Sequence, residues 1–277
     1  MGTIKMRLVP SNSPTTHEQL HSIMETADLL LLAAQPIRPF ETIPVIDISG
    51  LSGDAESRAK VASKIQEACI QVGLFYVKNH GVDENLITST VDAARGFFDL
   101  SLEEKMKLDF HKTSNFRGYY PVNQKKYYHE CFEIGPEVNT PIDGSSNEGN
   151  LWPSEDAMPG FQGAVLKYYH EIIELGMKLL SAFALALNLP EDYFADKVDG
   201  TSGAMRLIHY PPQSEESGDR EPGIGAHTDF RLFTILWQDE VSALQVLNSS
   251  GQWVNAEPIP GTFVIKSYRE PALKTNK

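Results

Sequence analysis

The stretch Gly225-Ala226-His227-Thr228-Asp229 decides the fold of this chain, because it ends a predicted strand with a histidine and an aspartate two residues apart. Residues i and i+2 of a strand point to the same face, so His227 and Asp229 converge while Thr228 points away. An imidazole and a carboxylate together can hold one divalent metal ion, as two of the three ligands of a facial triad with two histidines and one carboxylate. As an isolated tripeptide, the motif also fits a core histidine beside a solvated aspartate.

Short apolar segments separated by Pro, Gly, Asn and Ser surround this motif and predict a β domain. Its predicted strands cover residues 204–210, 225–227, 233–237, 244–247, 253 and 262–265. In the preceding half, strands at 43–48 and 74–77 alternate with helices at 55–72 and 84–100. The helices predicted outside this alternation are a short lead-in at 18–34 and a long bracing helix at 163–187. Residues 114–159 are predicted to be connecting or substrate-facing loops.

The composition favours an ordinary globular protein with a small-molecule partner. The 24 basic and 37 acidic residues give a net charge of −13, which disfavours nucleic acid and anionic lipid as partners. The two cysteines, Cys69 and Cys131, cannot build a disulfide framework, and no cleavable leader is recognisable. The longest apolar run, near Leu29–Ala34, is far shorter than the ~20 residues of a membrane span. We therefore expect a cytoplasmic protein; oligomeric state is not predicted.

A series of motifs in fixed order gives a family resemblance. In the second half these motifs are Met205–Pro212, Gly225–Asp229, Phe233–Leu236, Ala243–Val246, Gly251–Trp253 and Pro258–Ile265. In the first half they are Ile43–Asp47, Gly73–Gly81, Phe97-Phe98, Arg117–Tyr119, Glu133–Gly135 and Asn150–Pro153. The series resembles the Fe(II)/2-oxoglutarate-dependent dioxygenases, particularly the branch similar to isopenicillin N synthase, gibberellin oxidases and fungal thymine hydroxylase.

This resemblance implies an α+β fold with an incomplete jelly-roll core (a double-stranded β-helix), a mixed α/β N-terminal domain and a long bracing helix. The implied segments are a lead-in at 1–42, an N-terminal dioxygenase domain at 43–160, bracing helices at 161–200, a truncated jelly roll at 201–265 and a divergent tail at 266–277. It also implies that His227 and Asp229 bind Fe(II), and that Tyr210 contacts a carboxylate of 2-oxoglutarate. Ile208 stands where plant relatives often carry Asn, and a strand-end tyrosine with a solvated hydroxyl is the alternative for Tyr210.

Other polar residues have structural alternatives. His80 lies in a strand-ending turn and is predicted to be structural. His209 precedes Tyr210 and is therefore expected on the opposite sheet face, in the core or against a helix. Four tyrosines and an arginine fit a substrate mouth and loop anchors equally well: Tyr119, Tyr120, Tyr127, Tyr128 and Arg117.

The chain departs from the family pattern after Ile265. The family has a second histidine ligand and an Arg-x-Ser motif for the 2-oxoglutarate tail, but no histidine follows His227 here. Residues 266–277 are polar and lack strand alternation, as expected of an alternative splice product or a mispredicted exon boundary. We therefore expect weak iron binding, missing last core strands and unpaired sheet edges.

The predicted activity is that of an oxidoreductase that uses Fe(II), with 2-oxoglutarate and O2 as cosubstrates, to hydroxylate, desaturate or cyclise a small organic molecule of secondary metabolism. Reduced activity is expected from the missing ligands. The alternatives are a non-catalytic binding or regulatory protein and a jelly-roll metal hydrolase, which lacks a convincing third ligand or general base. The aromatic residues of 116–128 favour an apolar or amphipathic substrate, with a nucleobase as the main alternative.

Overall fold

The computed structural model describes residues 39–122, 128–137, 149–198, 203–212, 223–227 and 232–267, and the backbone of 3–10 and 273–275. The α-helices are α1 (Ala55–Gln71), α2 (Glu84–Phe98), α3 (Leu102–Met106) and α4 (Phe161–Ala186). The first six strands are β1 (Thr3–Pro10), β2 (Val45–Asp47), β3 (Leu74–Lys78), β4 (Gly118–Tyr120), β5 (Glu130–Ile134) and β6 (Gly203–Tyr210). The other six are β7 (Ile224–His227), β8 (Phe233–Gln238), β9 (Leu244–Leu247), β10 (Trp253–Asn255), β11 (Thr262–Ser267) and β12 (Leu273–Thr275).

Two sheets form the β core. The larger has eight strands in the order β2-β3-β11-β8-β1-β6-β5-β4, and the smaller has four in the order β10-β9-β12-β7. All strand pairs are antiparallel except β2 and β3, which are parallel. An apolar cluster joins the sheets, in which Leu244 and Val246 of the smaller sheet pack with Tyr76 and Val264 of the larger one. Two facing sheets beside a helical layer confirm the predicted α+β jelly roll.

Helices cover the opposite face of the larger sheet. Capping side chains fix where α1 and α2 begin, because Asp54 accepts from the Ser57 N–H and Asp83 from the Asn85 N–H. Helix α4 is buried along most of its length, since it packs against α1 and α2 as well as contributing to the main core. Its buried positions include Val165, Ile172 and Leu179, whereas Leu166, Ile173 and Met177 are only partly buried.

Residues 114–159 contain regular structure where loops were predicted. Strands β4 and β5 lie here and extend the larger sheet beyond β6. The prediction failed because β4 has three residues and β5 carries Glu130 and Glu133 among its apolar side chains, which conceals its alternation. As a result, this segment contributes side chains to both faces of the sheet beside Tyr210.

The two ends of the chain also differ from expectation. Residues 3–10 form β1, which pairs with β6 on one side and β8 on the other. Residues 273–275 of the tail form β12, which pairs with β7 and β9. The tail therefore contains a strand, and the expected unpaired edges are wrong for β6, β8 and β9, each of which has a neighbour on both sides. Within the described residues, β7 stays at the edge of the smaller sheet and pairs with β12 alone. The predicted helix at 18–34 lies outside the described residues, and the segment boundaries given above stay a prediction.

None of the helices in the described ranges has the length and hydropathy that a membrane crossing requires.

Candidate active site

His227 is the last residue of β7 and is partly buried. Its Nδ1 lies 3.0 Å from the carbonyl oxygen of Gly225. A carbonyl only accepts hydrogen bonds, so this contact places the proton on Nδ1 and keeps the lone pair on Nε2. A histidine held in this way has the form that binds a metal ion. The predicted second ligand, Asp229, lies outside the described residues.

Tyr210 ends β6 and is buried in the larger sheet. It packs with Cys131 and Ile208, and Tyr120 borders the same cluster. These residues share one face of the sheet, because β4, β5 and β6 bring Tyr120, Cys131 and Ile208 directly opposite one another. The isoleucine in place of asparagine thus makes the surroundings of Tyr210 apolar.

His129 is a site residue that the sequence did not indicate. Its ring centroid lies 5.3 Å from that of Tyr210, and its Nδ1 is 3.0 Å from the Gly223 carbonyl oxygen, next to β7. Burial lowers the pKa of His129 more than the Gly223 hydrogen bond raises it, and nearby Arg206 and His227 lower it further. The imidazole is therefore neutral near physiological pH. The sequence could not indicate His129, because its place beside Tyr210 depends on the pairing of β5 with β6.

Behind Tyr210, on the helical side of the sheet, a buried carboxylate collects three donors. Glu130 accepts from Lys105 Nζ at 2.8 Å and from His209 Nδ1 at 2.8 Å, and also from the hydroxyl of Tyr119. Burial alone raises the pKa of Glu130, but these three hydrogen bonds outweigh it and hold the pKa below its ordinary value. The network fixes β5 and β6 on α3, and it places His209 against a helix as predicted, since its ring also stacks on Phe98 of α2.

Three of the remaining singled-out residues, Arg117, Tyr119 and His80, have structural roles. Arg117 donates to the Pro136 carbonyl at 2.7 Å and ties two loops together. Tyr119 is buried with its hydroxyl on Glu130, so it is an anchor, whereas Tyr120 borders the Tyr210 cluster. His80 is buried, accepts from the Val82 N–H and packs on Phe263, as its structural prediction required. Tyr127 lies outside the described residues.

The donor chemistry fits a metal ion at the end of β7, although the described residues do not complete its ligand set. Within those ranges, no three side chains from His, Cys, Asp and Glu form a metal-binding group. His227 supplies one nitrogen ligand, and the sequence offers the carboxylate of Asp229 two residues later. Imidazole with carboxylate suits Fe(II).

A jelly roll with a histidine at the end of its second core strand is the architecture of a non-haem iron oxygenase. Residues 43–155 match the family model described as non-haem dioxygenase in morphine synthesis N-terminal, and residues 201–270 match the 2OG-Fe(II) oxygenase superfamily. The chain belongs to the 2OG-Fe(II) oxygenase superfamily, whose members are enzymes that use Fe(II) and 2-oxoglutarate. These findings confirm the predicted family, enzyme class and cofactors.

Curated relatives and solved structures support the same family. The chain is 36% identical over 239 residues to the 2-oxoglutarate-Fe(II) type oxidoreductase hxnY of Emericella nidulans. The matched region covers 80% of this chain and 68% of the relative. The chain is also 36% identical over 248 residues to the homoarginine-6-hydroxylase 2-ODD-C23 of Glycine max, covering 81% and 74%. Among solved structures, a full-length Neurospora crassa protein in complex with alpha-KG and thymine superposes with a TM-score of 0.75 at 26% identity, covering 85% and 80%.

Proposed function

We propose that this chain is a 2-oxoglutarate-dependent oxygenase that binds Fe(II) through His227 and Asp229 and oxidises a small organic molecule. The observation that carries the proposal is His227, held by the Gly225 carbonyl at the end of β7 in the tautomer that binds a metal ion. A bound Fe(II) ion would supply the oxidising chemistry, in which O2 puts one oxygen atom into succinate as 2-oxoglutarate loses CO2. The second oxygen atom would enter the substrate in a hydroxylation and would leave as water in a desaturation or a cyclisation.

The protein's own residues bind and orient the reactants in this proposal. Tyr210 contacts a carboxylate of 2-oxoglutarate, and the neighbouring His129 holds Gly223 at the start of the metal-bearing strand. The apolar surface of Tyr120, Cys131 and Ile208 excludes water and suits an apolar or amphipathic substrate. Such a substrate agrees with a role in secondary metabolism.

The partners are proposed to be small molecules alone. The net charge of −13 supports this, because it repels the phosphates of nucleic acids and anionic lipids. Both cysteines, Cys69 and Cys131, are free, which supports a cytoplasmic location where thiols stay reduced.

The test replaces His227 by alanine and measures succinate formation from 2-oxoglutarate in the presence of Fe(II) and O2. We expect iron-dependent turnover in the wild-type chain and its loss in His227→Ala, because a metal ligand is removed. The matched control is His170→Ala, since His170 is an exposed histidine of α4, the helix on the opposite side of the larger sheet from Tyr210. Absence of iron-dependent succinate in the wild type would support the non-catalytic alternative, and equal turnover in His227→Ala would remove this histidine from the site.

A further inference from the structure

Arg206 and Glu133 form an ion pair on the sheet face that carries Tyr210. Leu207 of β6 packs into the main core with the helices, so Arg206 and Tyr210 project from the opposite face. Glu133 of β5 is directly opposite Arg206, and its Oε2 accepts from the Arg206 Nε at 2.6 Å. Arg206 lies about 13 Å from Tyr210 along the strand, at the usual rise per residue. The pair and Tyr210 can therefore contact different ligands on one face.

Both members of this pair have hydrogen-bonding capacity left over. Arg206 uses only its Nε in the contact, and its two terminal nitrogens donate no hydrogen bond within the described residues. Glu133 uses only Oε2, so its Oε1 accepts none within the same ranges. A second arginine that acts electrostatically on Glu133, Arg117, donates instead to the Pro136 carbonyl. The Arg206 side chain is 42% exposed, so its free donors are open to a ligand.

Aromatic and apolar side chains border the pair. The guanidinium carbon of Arg206 is 5.8 Å from the centre of the Tyr120 ring, and Tyr120 itself stacks on Phe110 with ring centres 3.8 Å apart. Next along the same face are the buried Cys131 and Ile208, which are opposite each other on β5 and β6. A ligand whose head group is held by the pair therefore places the rest of its structure against apolar surface.

The pair also lies near the strand that carries the candidate metal ligand. The positive charges of Arg206 and His227 both lower the pKa of His129. Such an effect weakens with distance, so Arg206 and His227 are both close to the His129 ring. That ring in turn packs on Tyr210. The Arg206–Glu133 pair thus belongs to the surroundings of the candidate active site.

A cation and an anion side by side, each with spare capacity, select a ligand that carries both charges. A carboxylate alone would gain the donors of Arg206 but would be repelled by Glu133, and an amine alone would meet the reverse. A zwitterion gives each charge an opposite partner. In an α-amino acid the ammonium and carboxylate groups are attached to one carbon atom, and a carboxylate fits the guanidinium donors in a bidentate manner.

We propose that Arg206 and Glu133 bind the α-carboxylate and the α-ammonium group, respectively, of an α-amino acid with an apolar side chain, and that this amino acid is the substrate. The inference rests on the proposed function and names its substrate class. The apolar side chain of the ligand lies against Tyr120, Cys131 and Ile208. The ion pair then recognises the head group and leaves the side chain for oxidation.

Calorimetric titration of the full chain, loaded with Mn(II) and 2-oxoglutarate under anaerobic conditions, tests the proposal. The ligands are the free L-amino acids leucine, isoleucine, valine, methionine, phenylalanine and tryptophan. We expect at least one of them to bind. The amino acid that binds most tightly is then compared with its deaminated acid and its decarboxylated amine, which for phenylalanine are 3-phenylpropanoate and phenethylamine. Uracil is titrated alongside, because it offers a neutral edge of donors and acceptors.

Two variants assign the two charges. Glu133→Gln keeps the side-chain shape and an oxygen for the Arg206 Nε, and it should weaken amino acid binding about 10- to 100-fold without weakening the deaminated acid. Arg206→Gln should weaken the amino acid to a similar extent without weakening the decarboxylated amine. The matched controls are Arg58→Gln and Glu191→Gln, which break an arginine–glutamate pair of 2.9 Å at helix α1 and should leave binding unchanged.

Four results would overturn the inference. A wild-type chain that binds 2-oxoglutarate but none of the six amino acids would remove the substrate class while the proposed function stands, and so would binding of uracil alone. Variants that weaken the amino acid, the acid and the amine equally, or none of them, would show that the ion pair only joins β5 to β6. A wild-type chain that binds no 2-oxoglutarate would remove the proposed function as well.

Discussion

Replacing Glu130 by glutamine is expected to lower the free energy of unfolding by about 3–5 kcal/mol at neutral pH, because it leaves the buried Lys105 ammonium group without its charged partner. Glutamine has nearly the same shape as glutamate, so packing between β5 and α3 is preserved. It also offers one oxygen acceptor in place of two, whereas Lys105, His209 and Tyr119 all donate to Glu130. Urea unfolding followed by circular dichroism measures the loss.

Two further variants separate charge from packing. Glu104→Gln breaks an exposed ion pair with Lys107 and should change stability little, because solvent screens such pairs. Combining Glu130→Gln with Lys105→Met removes both buried charges and should recover part of the lost free energy of unfolding. A buried charge without a partner destabilises a protein more than replacement of the whole ion pair does. A double variant as unstable as Glu130→Gln alone would show that the lysine is not the source of the loss.

The contribution of Glu130 to the free energy of unfolding should also depend on pH. Its folded-state pKa lies below the ordinary value of 4.5, so the unfolded chain takes up a proton more readily. The stabilisation is therefore complete above pH 4.5 and is lost as the pH falls through the depressed folded-state pKa. The stability difference between wild type and Glu130→Gln should shrink on acidification below pH 4.5. A difference that grows in acid would contradict the direction of the pKa shift.

Gly118→Ala is expected to lower the free energy of unfolding by about 2–5 kcal/mol, from backbone strain and overpacking together. Gly118 opens β4 with a φ of +123°, a conformation that residues with a Cβ rarely adopt. A Cβ there would lie 2.3 Å from the Leu108 carbonyl oxygen. That oxygen cannot move aside easily, because it accepts the Tyr119 N–H at 2.7 Å.

Gly149→Ala is the matched control for this substitution. Gly149 is exposed, and no heavy atom lies within 4 Å of the position its Cβ would take. Chemical denaturation should show a large loss for Gly118→Ala and little change for Gly149→Ala. Similar losses in both variants would mean that the loss comes from replacing glycine by alanine in general and not from contact with Leu108.

Much of the fold was predictable because its elements have strong local signals. The apolar spacing of α1 and α2 predicted their positions to within two residues. The strands from β6 to β11 are short apolar segments between turn residues, and each was expected close to where it lies. The ordered motifs then indicated the jelly roll, which no single segment specifies.

The missed strands depend on partners distant in sequence. Strand β5 carries two glutamates whose partners, Lys105 and Arg206, come from α3 and β6, so its local composition resembles a polar loop. Strand β1 is held by β6 and β8, about 200 residues later in the chain. Tertiary pairing outweighed local propensity in both cases. His129 was missed for the same reason, whereas the metal-site residues His227 and Asp229, and Tyr210, were proposed from sequence and stay predictions for the experiments above.

The central position of β1 has a consequence for how the chain folds. Residues 3–10 leave the ribosome long before their neighbours in the sheet, which are residues 203–210 and 235–238. The strand must therefore wait for most of the polypeptide to be made, and such non-local pairing makes folding slow. During this interval β1 lacks its partner strands, so its backbone N–H and C=O groups can pair with other chains. Synthesis of this protein should accordingly depend on chaperones that shield this strand until its last partners emerge.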